Sequence, residues 1–288
     1  EDSSATTIGG ERFDEGLTNS GAVYVFERTG RTWIEVGYIK VPASEPNRAL
    51  GLVIGLDGNV IVAGTPYEDG ASGATSNAGA VYVVERTGAG FSLVATLRAA
   101  IPRTEDRFGS TMDVDATTII VGAPGEDGTS SGINGDPNAV SPDVGFDAGA
   151  AYVFTRSTSG TWGLAAYMKA PSPGARDGFG TSVAVSGDVA VVGARAEDSS
   201  STASNPDPTI DGLDDSGAAF VFTRRVTAWF ASSMLKAHAP GVSDHFGTGV
   251  AIDRGIIVVS APGEDGAGGG VNAPVDELAL NSGGVYVY

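Results

Sequence analysis

The chain contains no cysteine and only two histidines in 288 residues. Without cysteine it forms no disulfide bond and has neither a thiolate nucleophile nor a thiolate zinc site. Positive charge is also scarce, because 17 Lys and Arg stand against 35 Asp and Glu, for a formal net charge of −18. A chain this acidic repels nucleic acid and anionic membranes, so we expect neither as a partner.

Long apolar segments and helical periodicity are absent as well. No apolar run approaches the roughly 18 residues that a helix needs to cross a bilayer, so we expect no membrane insertion. Glycine is abundant instead: the 43 glycines are about twice the ordinary share and follow no collagen-like period. This composition predicts many tight turns.

Four short landmarks recur along the chain in a constant order, which indicates an internal repeat. They are an aromatic residue or leucine followed by glycine, a Gly-Ala-Pro-like step, a Gly-Ala-Val-Tyr-Val-Phe-like run, and an aliphatic residue followed by a cation. The copies begin at Leu50, Phe108, Phe179 and Phe246 for the first, at Gly64, Gly122, Gly193 and Ser260 for the second, at Gly21, Gly79, Gly149, Gly217 and Gly283 for the third, and at Ile39, Leu97, Met168 and Leu235 for the fourth.

The spacing of these landmarks separates rigid segments from variable ones. The glycine of the first landmark lies 15 residues before the proline position in all four copies (51 to 66, 109 to 124, 180 to 195, 247 to 262). The cation lies 11 residues before that glycine in all four (40 to 51, 98 to 109, 169 to 180, 236 to 247). Only the stretch after the proline position varies, which predicts a surface loop between packed strands.

Each repeat predicts four short strands, which we name a, b, c and d. The run "TSVAVSGDVAVVGA" predicts strands a and b, and "GAAYVFTR" with "TWGLAAYMKA" predicts strands c and d. Such units are typical of β-propeller blades, so the predicted fold is all-β, a β-propeller of four-stranded antiparallel blades with about four to five blades in this chain. We predict one propeller region over 1–288, with a partial blade at 1–44, repeats at about 45–102, 103–173 and 174–240, and a partial blade at 241–288.

The strand count leaves the arrangement of the two terminal blades open. Strands c and d come first, three sets of four follow, and strands a, b and c come last, which makes seventeen. Three arrangements remain: the ordered part of a larger propeller, a ring of four or five blades with an imperfect seam, or terminal blades that neighbouring molecules complete. The last rests on the unpaired N–H and C=O groups of an incomplete sheet, which are templates for another chain's strand.

One aromatic position recurs six residues before the aliphatic residue of strand d. We expect its side chains to lie in the core between blades rather than to stack on a ligand. The position holds Trp33, Phe91, Trp162 and Trp229.

Together, the Phe-Gly step, the short hairpin, the Gly-Ala-Pro step and the Gly-Ala-Val-Tyr-Val-Phe run resemble the FG-GAP repeat. That repeat builds the β-propeller of integrin α chains and of many bacterial surface and secreted proteins. The bacterial, integrin-like type is especially similar to the sequence "APGEDG…DAGAAYVFTR…TWGLAAYMKA". The resemblance covers nearly the whole chain. Leu50 and Arg195 depart from the pattern but keep its spacing, so we expect their blades to form. The resemblance implies an extracellular or cell-surface location.

Acidic residues recur at both ends of the variable b–c loop. Each loop begins with Glu-Asp and ends with Asp or Asn two residues before the glycine of strand c. Two interpretations remain open: the aspartate accepts backbone N–H bonds in an Asx-type turn, or oxygen ligands from both loop ends bind calcium. The calcium loop of the integrin family, D-x-D-x-D-G in the a–b hairpin, is not transferred because the hairpins here are too short. The candidate calcium ligands are Asp69, Asp127, Asp147, Asp198, Asp215 and Asp265.

No catalytic constellation stands apart from the repeat, so we expect no catalytic residues and no enzymatic activity. The first functional hypothesis is a non-enzymatic extracellular propeller that acts in adhesion, binding a protein or glycan ligand, or as a structural unit of a cell-surface assembly. The second is a subunit of an extracellular filament, joined to copies of itself by shared strands. The third is a secreted polysaccharide hydrolase or lyase, which requires one non-repeated charged cluster near the central channel.

Overall fold

The computed structural model describes residues 1–42, 45–88, 90–140, 146–202, 207–266 and 279–288. In these ranges the chain forms seventeen β-strands and no helix. The described part of the chain therefore offers no helix that could cross a membrane. The all-β prediction is confirmed. The chain divides into two compact units, Glu1–Ser110 and Thr111–Tyr288, which we call unit 1 and unit 2.

Unit 1 contains one two-stranded and one four-stranded antiparallel sheet. The two-stranded sheet consists of the predicted strands c and d, and the four-stranded sheet follows the order a-b-c-d. The strands are β1 (Val23–Thr29) and β2 (Thr32–Ile39), then β3 (Val53–Asp57), β4 (Val60–Thr65), β5 (Ala80–Thr87) and β6 (Gly90–Leu97).

Unit 2 contains two four-stranded antiparallel sheets and one three-stranded sheet. The four-stranded sheets again follow the order a-b-c-d, and the last sheet has strands a, b and c. The strands are β7 (Thr111–Asp115), β8 (Thr118–Ala123), β9 (Ala150–Arg156) and β10 (Trp162–Met168); β11 (Phe179–Ser186), β12 (Val189–Ala194), β13 (Ala218–Arg225) and β14 (Ala228–Leu235); and β15 (Gly249–Asp253), β16 (Ile256–Ala261) and β17 (Gly284–Val287).

The apolar pattern of each strand follows from its place in the sheet. Strand b lies between a and c, and in β4 and β8 every residue is buried, which explains the unbroken runs "VIVAGT" and "TIIVGA". Strand d lies at the outer side of the sheet. In β14, buried and exposed residues are mixed and do not alternate strictly. Because strand b is buried on both faces, neighbouring sheets must pack against each other.

Neighbouring sheets within unit 2 pack face to face, as propeller blades do. Val153 and Met168 of the first sheet share one buried cluster with Val192, Phe220 and Trp229 of the second. A second cluster joins the sheet of β11–β14 to that of β15–β17 through residues that include Val221, Phe246 and Val259. The predicted four-stranded antiparallel blades are therefore confirmed.

The recurring aromatic position is buried in some blades but not in the first. Trp162 and Trp229 are 8% and 4% exposed, as predicted, whereas Trp33 is 67% exposed. The prediction for Trp33 was wrong. The aromatic ring of Phe91 packs on Gly37 of the preceding sheet in unit 1, whereas no sheet of the described part of unit 1 covers Trp33.

Candidate functional site

The two ends of every b–c loop are joined by the same two hydrogen bonds, which we call the Glu-Asp clasp. The backbone carbonyl of the glutamate accepts the N–H of the strand-c glycine at 2.8–3.0 Å. Oδ1 of the aspartate accepts the N–H of the residue two positions before that glycine, at 2.6–3.0 Å. The aspartate pairs are Asp2–Asn19, Asp69–Asn77, Asp127–Asp147, Asp198–Asp215 and Asp265–Asn281.

The backbone at the end of each loop explains why only Asn or Asp recurs there. The five loop-end residues have φ between 51° and 54°, the left-handed region, which Asn and Asp adopt more readily than other non-glycine residues. Asp147 and Asp215 therefore meet the same conformational requirement as Asn77 and Asn281. The prediction that the loop aspartates accept backbone N–H bonds is confirmed, but these bonds span 8 to 20 residues across the loop and do not close a local Asx-type turn. Calcium at the same residues stays a prediction.

The clasps bring only some of the candidate calcium ligands together. Asp127 meets Asp147, and Asp198 meets Asp215, whereas the partners of Asp69 and Asp265 are asparagines. Among the described residues no group of three or more His, Asp or Glu is arranged to hold a metal ion. Since calcium takes six to eight oxygen ligands, loop carbonyls and water would have to supply most of them.

The first four clasps also fix the start of the following repeat. The carbonyl of Asp215 accepts the N–H of His245 at 3.1 Å, and the carbonyl of Ser216 accepts the N–H of Phe246 at 3.0 Å. Gly217 has φ +80°, and a Cβ at this glycine would lie 2.1 Å from the Phe246 carbonyl oxygen. Only glycine permits this approach, which explains the glycine of the Gly-Ala landmark.

In the four blades that have a strand d, the glutamate side chain of the clasp binds the cation at the end of that strand, a contact that the sequence reasoning missed. Lys169 and Glu126 are both fully buried, and Lys169 Nζ lies 2.7 Å from Glu126 Oε2. The Tyr167 hydroxyl donates to Oε1 of the same glutamate at 3.1 Å. The sequence contained a signal for this contact. The cation recurs at a fixed position after strand d, and a buried cation needs an anion that recurs just as regularly. The other pairs are Glu1–Lys40, Glu68–Arg98 and Glu197–Lys236.

Burial shifts the pKa of two groups in unit 2. It lowers the pKa of Lys236, and the charge of Glu197 at 2.9 Å opposes this change. Burial also raises the pKa of Asp177 to about 7, and the nearby charges of Glu197 and Asp198 add to the increase. Oδ2 of Asp177 accepts the N–H of Gly174 at 2.7 Å, so this carboxyl closes a turn before the Phe-Gly step.

The geometry first defines the class of the protein. Four-stranded antiparallel sheets, packed face to face within a unit and joined by repeated clasps, are β-propeller blades. The family comparison adds the particular repeat: residues 162–222 match the model of the FG-GAP repeat. Residues 162–222 therefore carry an FG-GAP repeat, which confirms the predicted resemblance in this part of the chain, while the bacterial surface or secreted type stays a prediction. No curated protein matches the chain.

Proposed function

We propose that this chain is a non-enzymatic recognition module of the extracellular space, whose b–c loops bind a protein or glycan ligand on a cell surface. The observation that carries the proposal is the clasp. It holds the loop ends in one geometry while the residues between them differ in number and type, at 3–18, 70–76, 128–146, 199–214 and 266–280. A rigid scaffold with variable loops is the usual construction of a binding surface.

Exposed apolar side chains within the loops support the proposal. Large apolar groups at the surface are candidate anchors for a partner, because they gain free energy when a ligand removes them from water. Four of the five loops carry at least one that is at least half exposed: Phe13, Val140, Phe146, Ile210 and Leu280.

The contacts made by the acidic residues of the b–c loops favour a binding function over a catalytic one. In the described ranges the recurring glutamates and aspartates serve the clasps, and the two histidines have separate contacts. His238 stacks on Tyr286, while the His245 ring lies 3.3 Å from the Arg195 carbonyl. A hydrolase or lyase would need one distinct constellation.

Loop exchange tests the proposal directly. A variant in which residues 70–76 replace 128–146 keeps a clasp, because Asp69 and Asp127 make the same bond. A second variant replaces 199–214 in the same way. We expect both variants to stay folded, although the first loses the backbone bonds of Gly132 and Asn134 to strand d and its neighbouring residue. We expect at least one variant to lose binding to a glycan array or to intact cells.

Two outcomes would contradict the recognition module. One is binding that survives both exchanges, or no binding to any glycan or cell. The other is turnover on a polysaccharide panel, which would support the hydrolase or lyase.

Calcium at the double-carboxylate clasps is a second part of the proposal. Asp127 with Asp147 and Asp198 with Asp215 offer two carboxylates each, and Oδ1 of the first residue is already bonded. We expect calcium to raise the melting temperature by a few degrees over EDTA, with magnesium at the same ionic strength as control. The chain supplies a matched variant: the double change Asp147→Asn and Asp215→Asn copies Asn77 and should abolish the calcium response while leaving the metal-free melting temperature unchanged. An unaltered response in this variant would exclude the site.

A further inference from the structure

In the blade of β7–β10, the outer edge of strand d is covered by the blade's own b–c loop. Ile133 of this loop forms an antiparallel bridge with Met168 of β10. The Asn134 N–H donates to the Tyr167 carbonyl at 2.7 Å, and Asn134 Oδ1 accepts the Tyr167 N–H at 3.0 Å. A short extended segment with the sequence Ile-Asn therefore completes this edge.

The blade of β1 and β2 covers the same place in the same way. The Gly9 N–H donates at 2.8 Å to the carbonyl of Tyr38, which lies one residue before the aliphatic residue of strand d. Ile8 packs against the buried cluster that contains Ile39, as Ile133 packs against the cluster of its own blade. In both blades, an isoleucine and the residue after it cover the outer side of strand d.

Strand β6 has the same edge without this cover. The residue before its aliphatic Leu97 is Thr96, which is exposed. The b–c loop of this blade, residues 70–76, is the shortest of the five. It closes on itself, with the Gly73 N–H on the Gly70 carbonyl at 3.2 Å. In the part of the chain that the structure describes, no loop forms a backbone hydrogen bond to the outer side of Thr96.

The strand register shows which backbone groups of β6 face outward. Leu97 pairs with Val81, which is the register that the β9–β10 pair also has. Because bonding alternates every second residue in an antiparallel pair, the N–H and C=O of Thr96 and the N–H of Arg98 point away from β5. In β10 the corresponding groups are those that bond to the covering loop. The edge of β6 thus offers the same groups to an incoming segment.

We propose that the outer edge of β6, at Thr96–Arg98, binds an extended segment of a partner protein by antiparallel strand addition. The segment carries an isoleucine opposite Leu97, followed by an asparagine whose side-chain carbonyl accepts the Thr96 N–H. Main-chain hydrogen bonds supply the affinity, and the two side chains select the segment and its register. The bulge residue Val94 ends the regular pairing two residues before Thr96, so only a short segment fits.

A second copy of this chain is not the occupant. The covering segments at Ile8 and Ile133 bond to strands of their own blades. A segment tethered beside its strand has a higher effective concentration there than a segment on another molecule. The surface lies on strand d and uses none of the b–c loop residues of the recognition module, so the two proposals can fail separately.

A peptide copied from the covering loop tests the edge on the full chain. The probe has the sequence of residues 130–138, "SSGINGDPN", and is titrated into isotopically labelled protein observed by NMR. We expect saturable shifts of the Thr96 and Arg98 amide signals. The same peptide carrying Ile133→Asp should bind at least tenfold more weakly, a loss of at least about 1.4 kcal/mol.

A backbone variant of β6 tests the direction of the bonds. Thr96→Pro removes an outward N–H and leaves the bonds to β5 in place, whereas Thr96→Val has a similar shape and keeps the N–H. We expect peptide binding to be lost in the first variant and to persist in the second.

A loop graft keeps the test valid if Thr96→Pro disturbs the sheet. Replacing residues 70–76 by a copy of 128–146 supplies the covering segment within the same blade. We expect this graft to block peptide binding, and the same graft carrying Ile133→Asp in the copy to restore it.

Absence of saturable binding would overturn the proposal, and so would binding that Thr96→Pro or the graft leaves unchanged. Amide shifts confined to β10 or β14 would also overturn it, because the peptide would then bind another edge. Self-association of the chain that Thr96→Pro abolishes would overturn it as well, because the occupant would be a second copy.

Discussion

The Lys169–Glu126 pair has no exposed surface on either side chain, so its two charges depend on each other. We expect Lys169→Met to lower the free energy of unfolding by about 3–5 kcal/mol, because Glu126 keeps a buried charge without its cation. The double variant Glu126→Leu/Lys169→Met should recover much of this loss. Urea denaturation measures both. Arg254→Met is the control, since Arg254 is exposed and 3.9 Å from Asp253; a single variant as stable as the control would refute the assignment.

The Asp177 carboxyl gives stability a defined pH dependence. Its pKa is raised from 3.8 to about 7 mainly by burial, so the folded chain binds a proton that the unfolded chain releases. This contribution is complete below about pH 4 and is lost as pH rises toward 7. We expect Asp177→Asn to flatten the decline of the unfolding free energy between about pH 5 and 7, by at least about 1 kcal/mol. Denaturation series at several pH values test this, and an unchanged slope would contradict it.

At the residue scale, the sequence predicted where the important residues recur, but it did not predict all of the residues that they contact. The recurring Glu-Asp and aliphatic–cation steps were visible in the sequence, and the turn role of the aspartates was among the two interpretations. The contact between Glu126 and Lys169 was not predicted, because the two residues are 43 apart and meet only after the b–c loop has closed.

The glycine at the start of strand c tests how adjacent blades are joined. A Cβ at Gly217 would lie 2.1 Å from the Phe246 carbonyl oxygen, whereas at Gly283 the nearest atom is 3.6 Å away. Both glycines have similar φ, +80° and +78°, so backbone strain is matched. We expect Gly283→Ala to cost about 1 kcal/mol of unfolding free energy and Gly217→Ala distinctly more, as measured by thermal and urea unfolding. Equal losses would show that the close approach contributes nothing.

The strands themselves were largely predictable because their spacing is constant. The constant stretch between the Phe-Gly step and the proline position holds two strands and a two-residue turn, as β11 and β12 confirm around Gly187. Trp33 shows the limit of such reasoning. Its sequence position equals that of Trp229, yet burial depends on a neighbouring sheet that one repeat's pattern does not contain.

The net charge of −18 acts on the whole molecule. Repulsion among surface carboxylates opposes the compact state, and salt screens it, while buried pairs are screened much less. We expect the melting temperature to rise by a few degrees between about 20 mM and about 500 mM NaCl. An uncharged osmolyte at equal osmolality is the control. A melting temperature that falls with salt would mean that exposed ion pairs outweigh the repulsion.

The seventeen strands found in the described residues and their order within each sheet were predicted correctly, since both follow from counting landmarks. The division into Glu1–Ser110 and Thr111–Tyr288 was not. The repeats look alike in sequence on both sides of this boundary, so no composition change marks it.

Every c–d hairpin carries an irregularity at one place. The register shifts because strand d has one extra residue, four positions before its cation: Val36, Val94, Ala165 and Ser232. Such bulges increase local twist and make an outer strand a poor template for uncontrolled stacking of chains. The bulge therefore gives each outer strand d a built-in protection against the uncontrolled addition of strands from other chains.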